Sequence, residues 1–340
     1  WTGATEEAWL RDRLTGAWLG RCIGCMMGKP VEGQKRAAIE AILHAASAYP
    51  LAGYFPVVEA LPEGVSYRPA DDPCLAPNID HAVRDDDTDY TVLGLLLCEA
   101  HGTGLEPTHV MNEWLARLPY HRTYTAERAA MRNFVTEVLP PASAMVMNPY
   151  REWIGAQIRA DGFAYCAAGR PELAAELCRR DASISHTKNG IYGEMFFGAL
   201  IAAALGAEDL DACIERALGE IPENCRLAQA VRRCLAWCAI DATWEQTWEH
   251  IMAEYGHYHP VHTINNALLC IMGLKHGGGD LRRAVAIAVM GGLDTDCNGA
   301  TVGSVMGALL GTRGIPDDLA APLHDTLATA LSGLTRLSIS

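Results

Sequence analysis

Aromatic residues and positive charge are both scarce in this sequence. Phe, Trp and Tyr make up 7% of its 340 residues, whereas Ala, Leu and Gly are abundant. Because sheets prefer β-branched and aromatic residues, this composition favours closely packed helices. The formal net charge of −14 argues against a basic surface for nucleic acids, so we expect no nucleic-acid partner.

Several sequence signatures are also missing. There is no Walker A loop, no G-x-S-x-G turn and no G-x-G-x-x-G loop, which removes the commonest nucleotide-binding and serine-hydrolase interpretations. No uninterrupted apolar run reaches transmembrane length, so we expect no membrane association. No secretory signal is recognisable, and we therefore expect a cytoplasmic protein whose twelve cysteines stay reduced.

The most informative stretch of the sequence is a pair of aspartates near its C-terminal end. Asp294 and Asp296 follow Gly291-Gly292 and precede a small-residue apolar run over 302–310. The glycines permit a sharp turn, and the run predicts a buried helix whose N-terminus carries the two carboxylates. Ordinary folding gives no reason to hold two like charges there, whereas a bound cation would.

A second acidic cluster, Asp85-Asp86-Asp87-Thr88-Asp89, precedes another helical run over 90–98. Taken alone, each cluster is explained equally well by helix capping and surface exposure. Together they place several hard oxygen ligands at two helix starts, with no set of Cys and His ligands nearby in the sequence. Such a ligand set suits Mg²⁺, Mn²⁺ or Ca²⁺. We therefore predict that both clusters converge on one metal site, which would be binuclear.

The remaining pattern predicts a helical chain. Apolar residues follow helical spacing, no clear strand is found, and neither a repeat nor a low-complexity linker divides the sequence. A short helix is predicted over 152–161, while the Pro-rich segment 49–80 is expected to form an irregular wall of the site. Because both acidic clusters must meet, we expect one all-α domain spanning residues 1–340.

Two further segments carry candidate functional groups. Glu32 lies in a tight loop after Pro30, and taken alone it is better interpreted as an ordinary acid of an exposed loop. The polar string 183–194, which contains His186, precedes a buried apolar helix and suggests side chains aimed into a cavity. A capping loop with a surface histidine explains that string equally well.

Four of these motifs, taken in order, resemble a known family. They are Gly24 to Glu32, Asp86-Asp87-Thr88, His186, and Gly292-x-Asp294-Thr295-Asp296, and they resemble the motif series of the ADP-ribosylglycohydrolase family, of the dinitrogenase-reductase-activating glycohydrolase type. The resemblance implies an orthogonal multi-helix fold and two bound Mg²⁺ or Mn²⁺ ions. It also implies cleavage of the glycosidic bond at the ribose anomeric carbon of an ADP-ribosylated protein or a small ribosyl metabolite.

The resemblance also implies metal-binding and catalytic roles for individual positions. The implied metal ligands are Asp85, Asp86, Asp87, Asp294 and Asp296. The ions would hold the ribose hydroxyls and order a water molecule, and Glu32 or Asp87 would accept the proton of that water. Glu32 could also act as a mobile gate over the substrate.

Substrate contacts follow from the same resemblance. His186 and its neighbours Asn189 and Tyr192 would line the distal ribose or adenosine pocket. Asn298, just beyond the second acidic motif, could supply a further oxygen. Taken together, these expectations describe a metal-dependent hydrolase of a ribosyl bond.

Three positions depart from the family pattern. The family often has Asp at the position of Cys25, Thr or Ser at the position of Asp85, and Thr at the position of Cys297. These departures indicate a divergent bacterial branch. Two alternatives to an ADP-ribosyl-protein hydrolase follow. One is a relative acting on a small metabolite, as a nucleoside-type N-glycosidase or a lyase. The other is a non-catalytic ADP-ribose binder, which the retained aspartates of both clusters argue against.

Overall fold

Helices account for nearly all regular structure in this computed structural model, which describes residues 3–207 and 209–340. Trp1, Thr2 and Glu208 belong to the predicted domain 1–340 but lie outside the described residues. The α-helices of the described chain are, in order, α1 Gly3–Gly28, α2 Arg36–Ala45, α3 Asp86–His101, α4 Pro107–Arg117, α5 Thr125–Val135, α6 Ala160–Cys166, α7 Pro171–Ala182, α8 Asn189–Ala204, α9 Leu210–Gly219, α10 Arg226–Ile240, α11 Trp244–Tyr255, α12 Thr263–His276, α13 Leu281–Met290, α14 Thr295–Leu310 and α15 Asp317–Ala320.

Two short strands, β1 Thr326–Ala328 and β2 Arg336–Ser338, pair in antiparallel register. The expectation that the chain contains no strand is therefore wrong in detail, although the fold is all-α as predicted. A distant segment of the chain also pairs with the first of these strands. The amide of Ala82 donates to the carbonyl of Thr326 (2.8 Å), and the amide of Ala328 donates back to Ala82 (2.9 Å). Such long-range pairing leaves no local pattern in the sequence.

The predicted helix over 152–161 is also wrong. The chain runs irregularly until a 3-10 turn over Gln157–Arg159, and α6 begins only at Ala160. The preceding backbone pairs elsewhere, because the amide of Ile154 donates to the carbonyl of Val261 (2.9 Å). Trp153 forms an isolated bridge with His262 and residues 154–156 form turns, so Ile154 and Gly155 come to line a cavity.

The closest helix pairing in the fold joins α1 to α14, which run antiparallel with glycines along their shared face. Gly16, Gly20, Gly24 and Gly28 of α1 meet Gly307, Gly303, Gly299 and Thr295 of α14, respectively. A Cβ on Gly24 would overlap the carbonyl oxygen of Gly299, so the two backbones are in direct contact. The contact brings the end of α1 beside the start of α14, where the hydroxyl of Thr295 donates to the carbonyl of Gly28 (2.8 Å).

The second of these helices is the centre of the molecule. α14 is buried along almost its whole length and packs against α1, α8, α12 and α13. The segment 46–85 lies outside this bundle and contains no α-helix, as its prolines predict. Among the described residues, no helix is both long and apolar enough to cross a bilayer.

The glycine contact makes a direct prediction about stability. Gly24→Ala should lower the free energy of unfolding by about 3 kcal/mol, because the added methyl group has to push two backbones apart. Gly219→Ala is the matched control: it ends α9, and an added Cβ meets no atom within 4 Å. That variant should stay within about 1 kcal/mol of the parent. Equal effects in urea unfolding would contradict the proposed contact.

Candidate metal centre

Two helix N-termini face one cavity. Asp85 caps α3, its side chain accepting the amide of Asp87 (2.9 Å). Asp294 occupies the equivalent position on α14 but makes no capping bond with its side chain. Its carboxylate is therefore free to face the cavity, where the partial positive charge of the helix terminus favours an anion.

The cavity has a volume of about 440 Å³, within the range of roughly 300–1,000 Å³ usual for small-molecule sites. Acidic residues dominate its lining. They are Glu32, Asp86, Asp87, Glu127, Asp294 and Asp296, with Lys29 and Arg84 as the basic members and Ile154, Ile158 and Val261 on the apolar side. A slightly larger cleft, beside Leu95 and Leu177, is mainly apolar and has no such convergence of acids.

Backbone hydrogen bonds tie the Glu32 loop to the segment before α14. The amide of Gly33 donates to the carbonyl of Leu293 (2.9 Å), and the amide of Leu293 donates to the carbonyl of Gln34 (3.2 Å). Gly292 and Leu293 have φ angles of +82° and +67°. A left-handed leucine is strained, and such strain is characteristic of functional sites. The turn delivers Asp294 next to Glu32.

Three acids form the first possible metal-binding group: Glu32, Asp294 and Asp296. One carboxylate oxygen from each lies within 4.8 Å of the others. Asp296 is only 4% exposed, and its Oδ1 atom has no hydrogen-bond partner. A buried carboxylate oxygen without a partner is costly unless a cation satisfies it. The hard oxygen donors suit Mg²⁺ or Mn²⁺, so the residues fit the metal that the sequence implies.

A second group joins Asp85, Asp87 and the shared Asp296, again with oxygens within 4.8 Å. Oδ1 of Asp87 likewise lacks a hydrogen-bond partner. Asp86, the remaining predicted ligand, lines the cavity but belongs to neither group. The two acidic clusters of the sequence therefore meet, and they do so through Asp296.

Basic side chains partner the second group. Lys29 forms an ion pair with Asp85. Buried Arg21 lies 3.5 Å from Asp87 and pairs with Asp161 at 2.9 Å. Among the described residues, by contrast, no basic side chain lies within ion-pair distance of Glu32, Asp294 or Asp296. The two groups thus share one aspartate but differ in how their charge is balanced.

The crowding of carboxylates changes their protonation. The charge of Asp296 and burial together raise the pKa of Glu32 to about 8. Burial and neighbouring acids also raise the pKa values of Asp87 and Asp294 well above their ordinary range. At neutral pH the metal-free site therefore retains protons, and a divalent cation would displace them.

This proton binding makes stability depend on pH. Without metal, the folded chain binds more protons at Glu32 than the unfolded chain does between about pH 4.3 and 8, so stability should fall as pH rises through that window. We expect the melting temperature in a chelator to fall between pH 5.5 and 8.5. Glu32→Gln should make that fall smaller, because it removes the raised carboxyl.

Glu63→Gln, in an exposed loop away from the cavity, is the control and should leave the pH dependence unchanged. Saturating Mg²⁺ should flatten the profile of the parent protein, since bound cation replaces bound protons. If the profiles of Glu32→Gln and the parent superimposed, the carboxyl of Glu32 would not be the group responsible.

The wall opposite the acidic groups carries a buried ionic network. Glu127 pairs with the guanidinium of Arg159 (2.7 Å), which also pairs with Asp181 (2.5 Å) and lies 3.5 Å from Glu194. All four side chains are almost fully buried. Since one guanidinium is shared by three acids, removing it would leave several buried charges without a partner. The network fixes the carboxylate of Glu127 at the cavity.

His186 lies behind this wall and not at the cavity surface. It is 1% exposed, accepts or donates a bond with the hydroxyl of Ser185 (2.8 Å), and approaches Glu127 to 4.0 Å. Its Nε2 atom has no hydrogen-bond partner, and burial beside Arg159 lowers its pKa well below the usual range. The surface-histidine alternative is therefore wrong, while its predicted contact with substrate stays a prediction.

The other predicted substrate residues also lie outside the cavity lining. Asn189 donates to Glu152 (2.8 Å), and Tyr192 is half-buried against the core. Asn298 donates to the side-chain oxygen of Asn266 (2.8 Å), which also accepts the amide of Asp294 (3.1 Å). Asn298 thus helps to position the metal-binding turn, and its direct contact with a substrate stays a prediction, as do those of Asn189 and Tyr192.

The two cysteines that depart from the family pattern are buried. Cys25 and Cys297 are 2% and 1% exposed, and burial raises the pKa of both thiols well above the usual range. A neutral thiol is a poor ligand for Mg²⁺. Neither sulfur belongs to the acidic groups described above, and both side chains pack as small hydrophobic residues.

Besides Arg84, which directly precedes the first acidic cluster, sequence reasoning missed two charged residues of the cavity, Lys29 and Glu127. Lys29 stands between Gly28 and Pro30, a position that usually indicates a solvent-exposed loop. Glu127 lies in the first turn of α5, where an acid is expected merely to favour the helix dipole. A signal was present only for Lys29, since it precedes Glu32 by three residues and follows the glycine-lined helix.

Comparison with known proteins identifies the family. The ADP-ribosylglycohydrolase family matches residues 6–339, so the chain belongs to that family. A solved structure described as "ADP-ribosylglycohydrolase-related protein complex" is similar over 93% of both chains, with a TM-score of 0.60 and 20% sequence identity. At that identity the likeness concerns the fold. Among curated proteins, none matches this sequence. The resemblance seen in the motifs and the predicted all-α fold are both confirmed.

Proposed function

We propose that this protein is a divalent-metal-dependent hydrolase that cleaves the glycosidic bond at the ribose anomeric carbon of an ADP-ribosylated protein or a related ribosyl compound. Membership of a glycohydrolase family supports the reaction class. The observation that carries the proposal is the convergence of Glu32, Asp294 and Asp296, with the unpartnered oxygen of Asp296, in a cavity of suitable size. Mg²⁺ is the expected ion, and Mn²⁺ is a suitable replacement.

Glu32, Asp294 and Asp296 would hold the ion, which when bound supplies a positive charge that orients ribose hydroxyls and acidifies water. Glu32 lines the cavity and, in the ionised form that it takes with the ion bound, would accept the proton of the attacking water. The water oxygen bonds to the anomeric carbon while the bond from that carbon to the leaving group breaks. The leaving group keeps the electron pair and takes up a proton.

The other carboxylates would stabilise the positive charge that develops during the reaction. Positive charge develops at the anomeric carbon as the bond breaks, and fixed acids at Asp87 and Glu127 favour it without any rearrangement. Arg21 and Arg159 hold those two acids from behind, so their positions are set before the substrate arrives. Preorganised charge of this kind supplies the acceleration without a covalent nucleophile.

The test is turnover on a panel of substrates with and without Mg²⁺. ADP-ribosyl-arginine, representing a modified protein side chain, is compared with a set of nucleosides. Release of ADP-ribose that needs Mg²⁺ supports the proposal, and hydrolysis of nucleosides alone would identify a small-metabolite glycosidase. Binding of ADP-ribose without turnover of either substrate would overturn the enzyme proposal and leave a binder.

Asp294→Asn tests the metal ligands. Turnover should fall by about 10²–10³-fold, since an amide neutralises no charge on the ion, while the helical circular dichroism stays unchanged. Asp280→Asn is the control, because Asp280 occupies the same N-cap position on α13, where its side chain accepts the amide of Arg283, and it does not line the cavity. Normal activity in Asp294→Asn would remove this residue from the site.

Glu32→Gln tests the proton acceptor. The value of kcat should fall by about 10²-fold, the usual contribution of a general base, whereas KM should change by only a few-fold. Steady-state kinetics at saturating Mg²⁺ separate the two effects. The control is again Glu63→Gln. An unchanged kcat would exclude Glu32 from proton transfer.

A further inference from the structure

Lys29 lies inside the second acidic group. Its ammonium forms an ion pair with Oδ2 of Asp85, and its side chain is only 20% exposed. The other oxygen of Asp85 accepts the amide of Asp87 at the start of α3 (2.9 Å). Both oxygens of Asp85 are therefore engaged within the protein, one by a cation and one by a helix terminus.

The backbone of Lys29 is held in place beside the acidic groups. Lys29 is the first residue of a 3-10 turn that follows α1 directly, and the next residue, Pro30, is buried. The carbonyl of Lys29 accepts a bond from Arg68 (2.8 Å). Since α1 is held against α14 along its glycine face, the backbone of Lys29 stays beside the acidic groups, and its ion pair with Asp85 holds the ammonium there.

The two acidic groups differ in whether their carboxylates have basic partners. In the second group, Asp85 has Lys29 and Asp87 has Arg21 as a basic partner. In the first, Glu32 and Asp294 have no basic partner within ion-pair distance among the residues described. In the first group a divalent ion would meet two carboxylates without a basic partner, Glu32 and Asp294, together with the shared Asp296. In the second group it would meet an ammonium that is already paired with Asp85. Like charges a few ångströms apart repel strongly in a buried site.

We propose that this protein holds one exchangeable divalent ion, at Glu32, Asp294 and Asp296, and that the ammonium of Lys29 takes the place of a second ion beside Asp85. The inference rests on the metal site of the proposed function and departs from the two ions that the family resemblance implies. One positive charge of the centre is thus covalently attached and cannot be removed by a chelator.

The test measures how many ions bind. The metal-free full-length chain is titrated with Mn²⁺ by equilibrium dialysis, and the bound ions are examined by electron paramagnetic resonance. We expect one Mn²⁺ per chain with no coupling between ions. Lys29→Met should bind two, with a coupled signal, because its removal leaves the second group without its ammonium. Lys35→Met, which removes an exposed lysine nearby, should still bind one.

Two further variants locate the ion independently of how Lys29→Met folds. Asp294→Asn should lose the single Mn²⁺ or weaken it by at least about tenfold, whereas Asp85→Asn should retain it. Two ions in the parent protein would overturn the inference and leave the proposed function intact. A single ion in well-folded Lys29→Met would overturn the role of the lysine. No binding by the parent would remove the metal site itself, and the inference with it.

Discussion

The fold depends on direct backbone contact between its first and fourteenth helices. Glycine recurs every four residues on α1 and on α14, so the two helices approach more closely than side chains would allow. The contact ends where the site begins: the loop with Lys29 and Glu32 leaves one helix beside the start of the other, which carries Asp294 and Asp296. The close packing of two buried helices therefore sets the spacing between functional groups that are distant in sequence.

The same arrangement concentrates negative charge, and the protein balances it from three directions. Arg21 and Arg159 lie behind Asp87 and Glu127, outside the cavity, and Lys29 enters the acidic cluster itself. Arg21 and Arg159 hold their partner acids in fixed positions, whereas Glu32, Asp294 and Asp296 have no basic side chain within ion-pair distance among the described residues and retain capacity for an external cation. A family that acts on ribosyl bonds needs both kinds of acid, one to hold the ion and one to face developing positive charge.

Much of this architecture was readable in the sequence. The two aspartate clusters and the Glu32 motif indicated the family and the meeting of the two clusters, and the apolar spacing indicated the helical fold, because motifs and periodicity are local signals. The glycine period on α1 and α14 is equally visible in the sequence and is typical of helices whose backbones approach closely. The metal ligands, substrate contacts and domain limits predicted from the sequence stay predictions until measured.

The features that escaped prediction are those set by distant partners. Residues 326–328 pair with 336–338 and also with the distant Ala82, and pairing of Ile154 with Val261 is found where a helix was expected over 152–161. Lys29 looks like an ordinary loop lysine until Asp85 is placed beside it. In each case, local propensity is outweighed by a contact across many residues of chain, which no periodicity records.

The hydrogen bonds between Gly33, Gln34 and Leu293 restrict how the site can open. The sequence allowed Glu32 to swing as an independent gate, but its loop and the turn before Asp294 exchange two backbone bonds and share a strained leucine. Any outward motion of the backbone of the Glu32 loop must break those bonds or pull Asp294 with it. Departure of the product and loosening of the cation would then be coupled, so an enzyme working in scarce metal risks losing its ion with each turnover.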